Sequence, residues 1–461
     1  MFNEVKLKNI SKTIGSGITP LRSNPRYWDN GTIYWLKTEQ LGEHEIYKTS
    51  EKISQNAIDE TSIKIFPKNT LSIAMYGEGR TRGNVSILKN EMTTNQACCN
   101  IVIDNKKADY EYVYYFLKTQ YQNLRSLSSG VRKNLNSNDI KEFEIRLPND
   151  LQIQKEIAKV LSDLDAKIEL NNRINTELEA MSKTLYDYWF VQFDFPYSPP
   201  SEGCPQDGVG IGKPYKTSGG KMVWNEELKR EIPVGWEVKL YSEWINNDKS
   251  GDWGKEQPEG NYTEKVYCIR GADINGLNGT GELKSPERYI LEKNLHKTLD
   301  PADLIVEISG GSPTQSTGRL AFITDGTLAR FEAPIICSNF CKAVTLKNKK
   351  LLYNFVYHWK SIYDAGVLFG YEGKTSGIKN LLFDSFVSSH YTVVPDEIIG
   401  EKFYEIMEPI QAKKQKSLKE NQELASLRDW LLPMLMNGQV SVGDVEEELG
   451  MVAEESARYV K

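Results

Sequence analysis

No apolar run in this 461-residue chain approaches the roughly 20 residues that a bilayer span requires. Its opening residues, Met1-Phe2-Asn3-Glu4-Val5-Lys6, lack the basic-then-apolar pattern of a secretory signal. No membrane association is expected, and the expected location is cytoplasmic. Cysteine is scarce: Cys98, Cys99, Cys204, Cys268, Cys337 and Cys341 are too scattered for a disulfide scaffold and lack the paired spacing of a zinc set, so they read as reduced, buried thiols. The four histidines, His44, His296, His358 and His390, have no evident Ser or Cys partner and read as structural. Positive charge is also short, with a net charge of -6, which argues against phosphate binding by the chain as a whole. Its distribution matters more. Residues 1–150 carry 21 Lys+Arg against 17 Asp+Glu, and the acid collects later, partly in a tail holding Asp444, Glu446, Glu447 and Glu448.

Catalytic motifs are missing as well. A methyltransferase acting on an exocyclic amine needs a Gly-rich cofactor loop and an Asn/Asp-Pro-Pro-aromatic tetrad, whereas Asn24-Pro25-Arg26-Tyr27 has Arg26 in place of the second proline and no such loop before it. That segment reads as a turn. Gly373-Lys374-Thr375 lacks the first glycine of a phosphate loop, where Leu368 stands, and Pro395-Asp396-Glu397 lacks the remaining carboxylate and lysine of a nuclease site. The acidic residues there suit a helix N-terminus instead. The chain is expected to hold no cofactor and no metal. A stand-alone DNA methyltransferase or nuclease with an unrecognised site is the rival reading, and a purely structural coiled-coil adaptor is a third.

What is present is a duplication. Glu4-Val5-Lys6-Leu7 recurs as Glu237-Val238-Lys239-Leu240, and Tyr34-Trp35-Leu36-Lys37 is echoed by Tyr267-Cys268-Ile269-Arg270, both at an offset of 233. Ser129-Gly130-Val131-Arg132 aligns with Ser376-Gly377-Ile378-Lys379, Pro148 with Pro395, and Glu177-Leu178-Glu179-Ala180 with Glu423-Leu424-Ala425-Ser426. The common order excludes chance, and the period is far too long for a solenoid. Each half opens with short β-type runs broken by Gly, Asn and Pro, such as Thr70–Met75 and Leu304–Ile308, and closes, after its proline, with a helical stretch of about 40 residues.

In the first stretch Ile157, Leu161, Leu164, Ile168, Asn171, Asn175, Leu178 and Leu185 follow the alternating three-and-four spacing of a coiled-coil seam. In the second, Phe403, Ile406, Ile410, Ser417, Asn421, Leu424 and Leu431 keep a similar spacing, interrupted by Lys414. The predicted fold is α/β: two mixed α/β domains separated by two long helices forming an antiparallel coiled coil, an internal duplication with pseudo-two-fold symmetry. The expected divisions are 1–150 for the first domain, 151–190 for the first spacer helix and 191–232 for a central connector. The second domain follows at 233–396, its spacer helix at 397–437 and an acidic tail at 438–461.

Several segments in this frame resemble type I restriction-modification specificity subunits. Gly17-Ile18-Thr19-Pro20 is similar to that family's Gly-x-Thr-Pro, followed by Tyr27-Trp28 and Ile33-Tyr34-Trp35-Leu36; Asn95-Gln96 resembles its Asn-Gln element. Asn134-Leu135-Asn136 through Ile145-Arg146-Leu147-Pro148 resembles the approach to its long helix. Gln154-Lys155-Glu156-Ile157 and Leu164 to Asn171 resemble the helix itself, and Trp189 to Asp194 with Gly219 to Val223 resemble the connector. The second half departs from the pattern at Ser250-Gly251-Asp252-Trp253 and Ser338-Asn339-Phe340. The resemblance implies two target-recognition domains that each read half of a split double-stranded DNA site. It further implies a helix pair docking two adenine-methylating modification subunits, and restriction subunits that translocate and cleave. S-adenosylmethionine, ATP and magnesium would reside on those partners, leaving this chain a non-catalytic reader.

The candidate DNA-binding residues lie in loops after strands. In the first half they are Thr19, Arg22, Tyr76, Arg80, Thr81, Arg82 and Asn84, with Arg132, Lys133 and Asn134 suited to phosphates. Arginine pairs bidentately with guanine and asparagine with adenine in the major groove. In the second half the candidates are Ser312, Thr314, Gln315, Ser316 and Arg319, with Lys374, Thr375 and Lys379 suited to phosphates. Hydroxyls and amides stand there where the first half has arginine, which implies a different half-site. The coiled-coil length, ~60 Å for about 40 residues, would set the gap between two readers about one helical turn apart.

Overall fold

The doubling of the sequence is a doubling of strands. A computed structural model describes residues 2–77, 79, 81–127, 134–197, 212–279, 281, 283–310, 314–375 and 378–445. It forms two compact units, Met1–Glu169 with Gln422–Lys461, and Leu170–Asn421.

The first unit holds a five-stranded sheet in the order Ser11–Ser16, Cys98–Ile103, Thr70–Ala74, Val85–Leu88, Glu45–Ile46. The second repeats the first four positions as Ile245–Ser250, Cys341–Leu346, Asp303–Glu307 and Leu320–Phe322. Beside each lies a three-stranded sheet whose centre strand, Ile33–Leu36 or Tyr262–Ile269, pairs antiparallel on one side and parallel on the other. A two-stranded ribbon completes each set, Phe2–Lys6 with Glu144–Pro148 and Glu237–Leu240 with Tyr391–Val394. The helices Tyr110–Thr119 and Leu352–Asp364 follow the last strand of the main sheet in each unit.

Each ribbon delivers the chain into a long helix, Leu151–Tyr186 or Glu397–Asn437. Asp150 accepts from Gln152 N at 2.8 Å and Asp396 from Ile398 N at 3.0 Å, so each aspartate caps a helix start. The Pro395-Asp396-Glu397 segment is thus a helix entrance. The second helix runs through Pro409 and Pro433 and ends at Gly438, whose φ of 68° takes the left-handed conformation that glycine accepts.

Each unit contains the beginning of one long helix and the end of the other. In the first, Ile157 and Leu161 share a core with Leu71, Ile101, Tyr115, Leu431 and Leu435. In the second, Phe403 and Met407 share one with Tyr186, Trp189, Phe322 and Trp359. The described part of the connector belongs to that second core through Phe193, Phe195, Tyr215 and Ile232. The five described cysteines are free and buried.

The helix pair is antiparallel where its partners are seen, since Asp165 meets Arg428 within the first unit while Asn171 meets Asn421 and Glu179 meets Lys414 within the second. Leu164, Ile168, Leu178, Leu185, Ile410 and Leu424 are half-buried along it. One expectation needs correcting. Ile406 is 41% exposed, and the buried face of the second helix runs through Phe403, Met407, Gln411, Lys414 and Leu418. The bulky residue at 406 suggested the neighbouring stripe, but Met407 and the polar Gln411 and Lys414 fill the interface.

These polar residues are paired. In the first unit Asp165 accepts from Arg428 Nη1 at 2.6 Å and from the Tyr115 hydroxyl at 2.7 Å, with His44 Nδ1 at 3.5 Å. Burial acts to raise the Asp165 carboxyl, but Arg428 and Tyr115 hold it below its usual range. In the second unit Glu179 takes Lys360 Nζ at 2.8 Å and the Tyr357 hydroxyl at 3.3 Å, and is ion-paired to the buried Lys414. Burial again pushes up, and the two lysines outweigh it, holding Glu179 at about 2.

Removing Arg428 leaves a buried carboxylate unpaired, so Arg428→Ala should destabilise the first unit by about 3 kcal/mol. Adding Asp165→Asn should cost less than the two single losses combined. Thermal unfolding of the four species measures both. Because the Glu179 carboxyl lies below its unfolded value of about 4.3, its contribution is complete above roughly pH 4.5 and disappears as pH falls toward 2. Acid titration of stability should therefore show a steeper loss in the wild type than in Glu179→Gln.

Candidate nucleic-acid interface

In an antiparallel sheet the C-terminal ends of some strands lie beside the N-terminal ends of their neighbours. In the first unit Ser16, Ala74, Val85 and Cys98 share one such end, so the segments 17–22, 75–84 and 95–97 emerge together. The opposite end of strand Cys98–Ile103 leads to Asp109, whose amide donates to Gln154 Oε1 of the long helix at 2.9 Å. The loops therefore project from the sheet end remote from the helix start.

Backbone bonds fix this end. Ile18 N donates to Thr94 O at 2.9 Å, Met75 N to Ala97 O at 2.8 Å, and Leu135 N to Met75 O at 3.1 Å. The Thr19 hydroxyl donates to Gln96 Oε1. Thus Thr19, Tyr76 and Asn134 come together around the Asn95–Ala97 turn, with Tyr76 and Gln96 exposed. Arg22 lies beside them on a tryptophan pair, 3.8 Å from the Trp28 ring and 4.7 Å from Trp35, and is ion-paired to Glu51. Arg22 and Lys37 hold the Glu51 carboxyl below its ordinary range against the opposing effect of burial. Half of the Arg22 side chain remains exposed, a guanidinium held in place and open on one face.

The loop 75–84 divides its residues between two tasks. Thr81 and Arg82 are half-buried, and the Arg82 carbonyl accepts from Arg125 Nη1 at 3.1 Å. Asn84 Nδ2 donates to Leu41 O at 3.1 Å, so its amide holds the neighbouring loop. Arg80, Arg132, Lys133 and Ser312 lie outside the described residues, and Lys374 and Thr375 are placed by backbone alone, on strand Glu372–Thr375.

The second unit repeats the sheet end with other side chains. Thr314 and Gln315 are exposed, whereas Ser316 is buried. Arg319 is locked to the buried Glu307 by Nε to Oε2 at 2.9 Å and Nη2 to Oε1 at 2.6 Å. Ser316 and Arg319 therefore build their loop and do not face outward. Lys379 Nζ pairs with Glu372 at 3.1 Å on the hairpin formed with Ile378–Leu381. The Gly373-Lys374-Thr375 segment belongs to that hairpin, not to a phosphate loop, and Asn24-Pro25-Arg26-Tyr27 is a 3-10 turn with Asn24 Oδ1 accepting from Arg26 N at 3.3 Å.

In the second unit the Gly-x-Thr-Pro pattern is missing around Gly251. Its glycine survives. A Cβ on Gly17 would lie 2.0 Å from Thr94 O, and one on Gly251 would lie 2.0 Å from Ser338 O, so both positions require the missing side chain for close backbone approach. Asn95–Ala97 and Ser338–Phe340 likewise form one turn, closed by Cys98 N on Asn95 O at 3.2 Å and Cys341 N on Ser338 O at 2.9 Å. Gln96, Trp253 and Phe340 are further candidates that the sequence analysis does not single out, marked by their exposed positions beside these shared turns.

Comparison with known proteins agrees with this frame. Residues 1–180 match the family model described as the type I restriction modification DNA specificity domain. The specificity subunit of the type I restriction enzyme MjaIX of Methanocaldococcus jannaschii is 26% identical over 450 residues, covering 95% of this chain and 94% of that protein. A putative type I specificity subunit of Mycoplasma pneumoniae is 32% identical over 173 residues, covering 36% and 45% of the two chains. Among solved structures, the type I restriction-modification S subunit from M. genitalium shares the fold, with a TM-score of 0.56 and 17% identity over 94% of this chain and 96% of that one.

The glycine roles are directly testable. Gly17→Ala should push the 17–22 segment off Thr94, and hydrogen exchange should show faster loss of the Ile18 amide than in the wild type, with strand Thr70–Ala74 still protected. Unchanged Ile18 protection would mean that the close approach does not hold the loop.

Proposed function

We propose that the chain is a type I restriction-modification specificity subunit and that it reads a bipartite double-stranded DNA site, one half-site per unit, in the cytoplasm. It docks two adenine-methylating modification subunits along its long helices, and restriction subunits join that assembly. The observation that carries this reading is the paired sheet end: one backbone frame occurs twice, with Thr19, Arg22, Tyr76 and Gln96 on the first and Trp253, Thr314, Gln315 and Phe340 on the second. Two readers sharing a frame but differing in exposed chemistry suit two different half-sites. S-adenosylmethionine, ATP and magnesium belong to the partners.

No helix among the described residues is long and apolar enough to cross a membrane. In this reading the length of the long helices sets the gap between the two half-sites.

Methylome sequencing of a host carrying this chain with its modification subunit should reveal a split motif methylated on adenine. The purified chain alone, given S-adenosylmethionine and DNA, should transfer no methyl group; transfer would support the stand-alone enzyme instead. A matched insertion in both long helices should lengthen the non-specific gap and leave both half-sites unchanged. Gln96→Ala should weaken binding to the first half-site by roughly tenfold, the scale of one lost base contact, without altering the second.

A further inference from the structure

The turn Ser338–Phe340 of the second unit occupies the place of Asn95–Ala97 in the first. In both, the first amide donates to the centre strand of the three-stranded sheet, Asn95 N to Leu36 O and Ser338 N to Ile269 O, each at 2.8 Å. In both, the last carbonyl accepts from the strand preceding the variable loop, Ala97 O from Met75 N at 2.8 Å and Phe340 O from Ile308 N at 2.9 Å. These backbone bonds recur in both turns while the side chains diverge. Ala97 is buried, and Phe340 is 52% exposed.

One exposed apolar side chain is ordinary on any protein surface. Phe340 is distinguished by its setting. Ser309 N also donates to its carbonyl at 3.1 Å, and the Ser309 hydroxyl is bonded to Asn380 Oδ1 on the adjacent hairpin. On the other side Gly251 packs against Ser338, and two residues later Trp253 carries Arg288 at 4.2 Å from its ring. The ring therefore stands on a turn pinned by four backbone bonds, between the two loops that emerge from the reading end of the sheet. Both turns expose an amide at the middle position, Gln96 or Asn339, but where the first unit follows it with the buried Ala97 the second adds an exposed phenyl group.

We propose that Phe340 is a base-reading side chain of the second unit and packs its ring against the C5 methyl group of a thymine in the major groove. This rests on the DNA-reading function above. The thymine methyl is the apolar feature that distinguishes base edges in that groove, and phenylalanine is among the side chains that contact it. The fixed turn lowers the entropy lost when the ring is immobilised.

The test uses the chain assembled with its modification subunits, on the recognition site found by methylome mapping. Each thymine of the second half-site is replaced in turn by deoxyuridine, which removes only the methyl group, and the methylation rate at limiting enzyme is compared. At one position the wild type should lose about fourfold, the scale of one buried methyl group. Phe340→Ala should show no difference between thymine and uracil there, Phe340→Leu should retain part of it, and all three proteins should treat the first half-site alike. Equal thermal midpoints establish that the variants fold; were Phe340→Ala to misfold, the wild-type comparison and Phe340→Leu still decide. A wild type indifferent to every uracil, a second half-site without thymine, or full discrimination retained by Phe340→Ala overturns the assignment. DNA kinked by a ring wedged between base steps, with no dependence on the methyl group, overturns it too. Absence of any split methylated motif would instead overturn the DNA-reading function from which it starts.

Discussion

Two carboxylates on the first long helix, the buried Asp165 and the half-buried Glu179, anchor the helices within their units. Each receives a cation from the second helix, Arg428 or Lys414, and a tyrosine hydroxyl from the short helix of its own unit, Tyr115 or Tyr357. A buried ion pair adds little net stability over a well-packed apolar contact, yet breaking one is costly, so such pairs act chiefly by excluding alternatives. The arrangement is polarised: both acids lie on the first helix and both bases on the second. Two copies of the first helix laid against each other would leave Asp165 and Glu179 without cations, a repulsive element against the wrong pairing. Asn171, bonded to Asn421 at 2.9 Å and Glu420 at 2.8 Å, adds a register contact that a slipped pair would lose.

The same pairs tie each sheet to the helix pair. Tyr115 and Tyr357 stand on helices that follow the last strand of the main sheet, and Arg330 adds a bond from its Nη1 to Gln415 Oε1 at 3.0 Å in the second unit. Loops at the far sheet end then inherit a fixed direction from the polar contacts at the near end. The side chains at that far end can therefore change while the clamps stay, which is the separation of positioning from reading that the proposed function calls for.

The duplication was legible because it rests on chain order, which insertions shift but do not scramble. The sheet pairings could not be read that way, since the partner of Cys98–Ile103 is chosen by packing across nearly a hundred residues. The clamps left a trace that the search for apolar spacing passed over: Tyr115-Phe116-Leu117-Lys118 recurs as Tyr357-His358-Trp359-Lys360. A hydrophobic stripe discards tyrosine hydroxyls and lysines, and these are the atoms that meet Asp165 and Glu179. The same filter favoured Ile406 over Met407 and treated Lys414 as a defect, although Lys414 is buried at the centre of the contact.

Which loop side chains face outward was least legible, and Arg319 explains why. In a glycine- and serine-rich loop after a strand, arginine has the form of a guanine contact. Here the fold supplies it with Glu307, whose carboxylate is so enclosed that a Cβ on Gly271 would lie 2.7 Å from Oε1 and one on Gly310 would lie 2.9 Å away. That buried charge needs a partner more than the solvent-facing loop needs a reader, and it takes both the Nε and Nη2 donors. Arg22 sits at the other extreme, supported from below by Trp28 and Trp35 and engaged by Glu51 while half its side chain stays exposed. The difference between an arginine that anchors its loop and one left half open to solvent lies in the depth of the carboxylate each meets, a property of the folded sheet that loop composition does not encode.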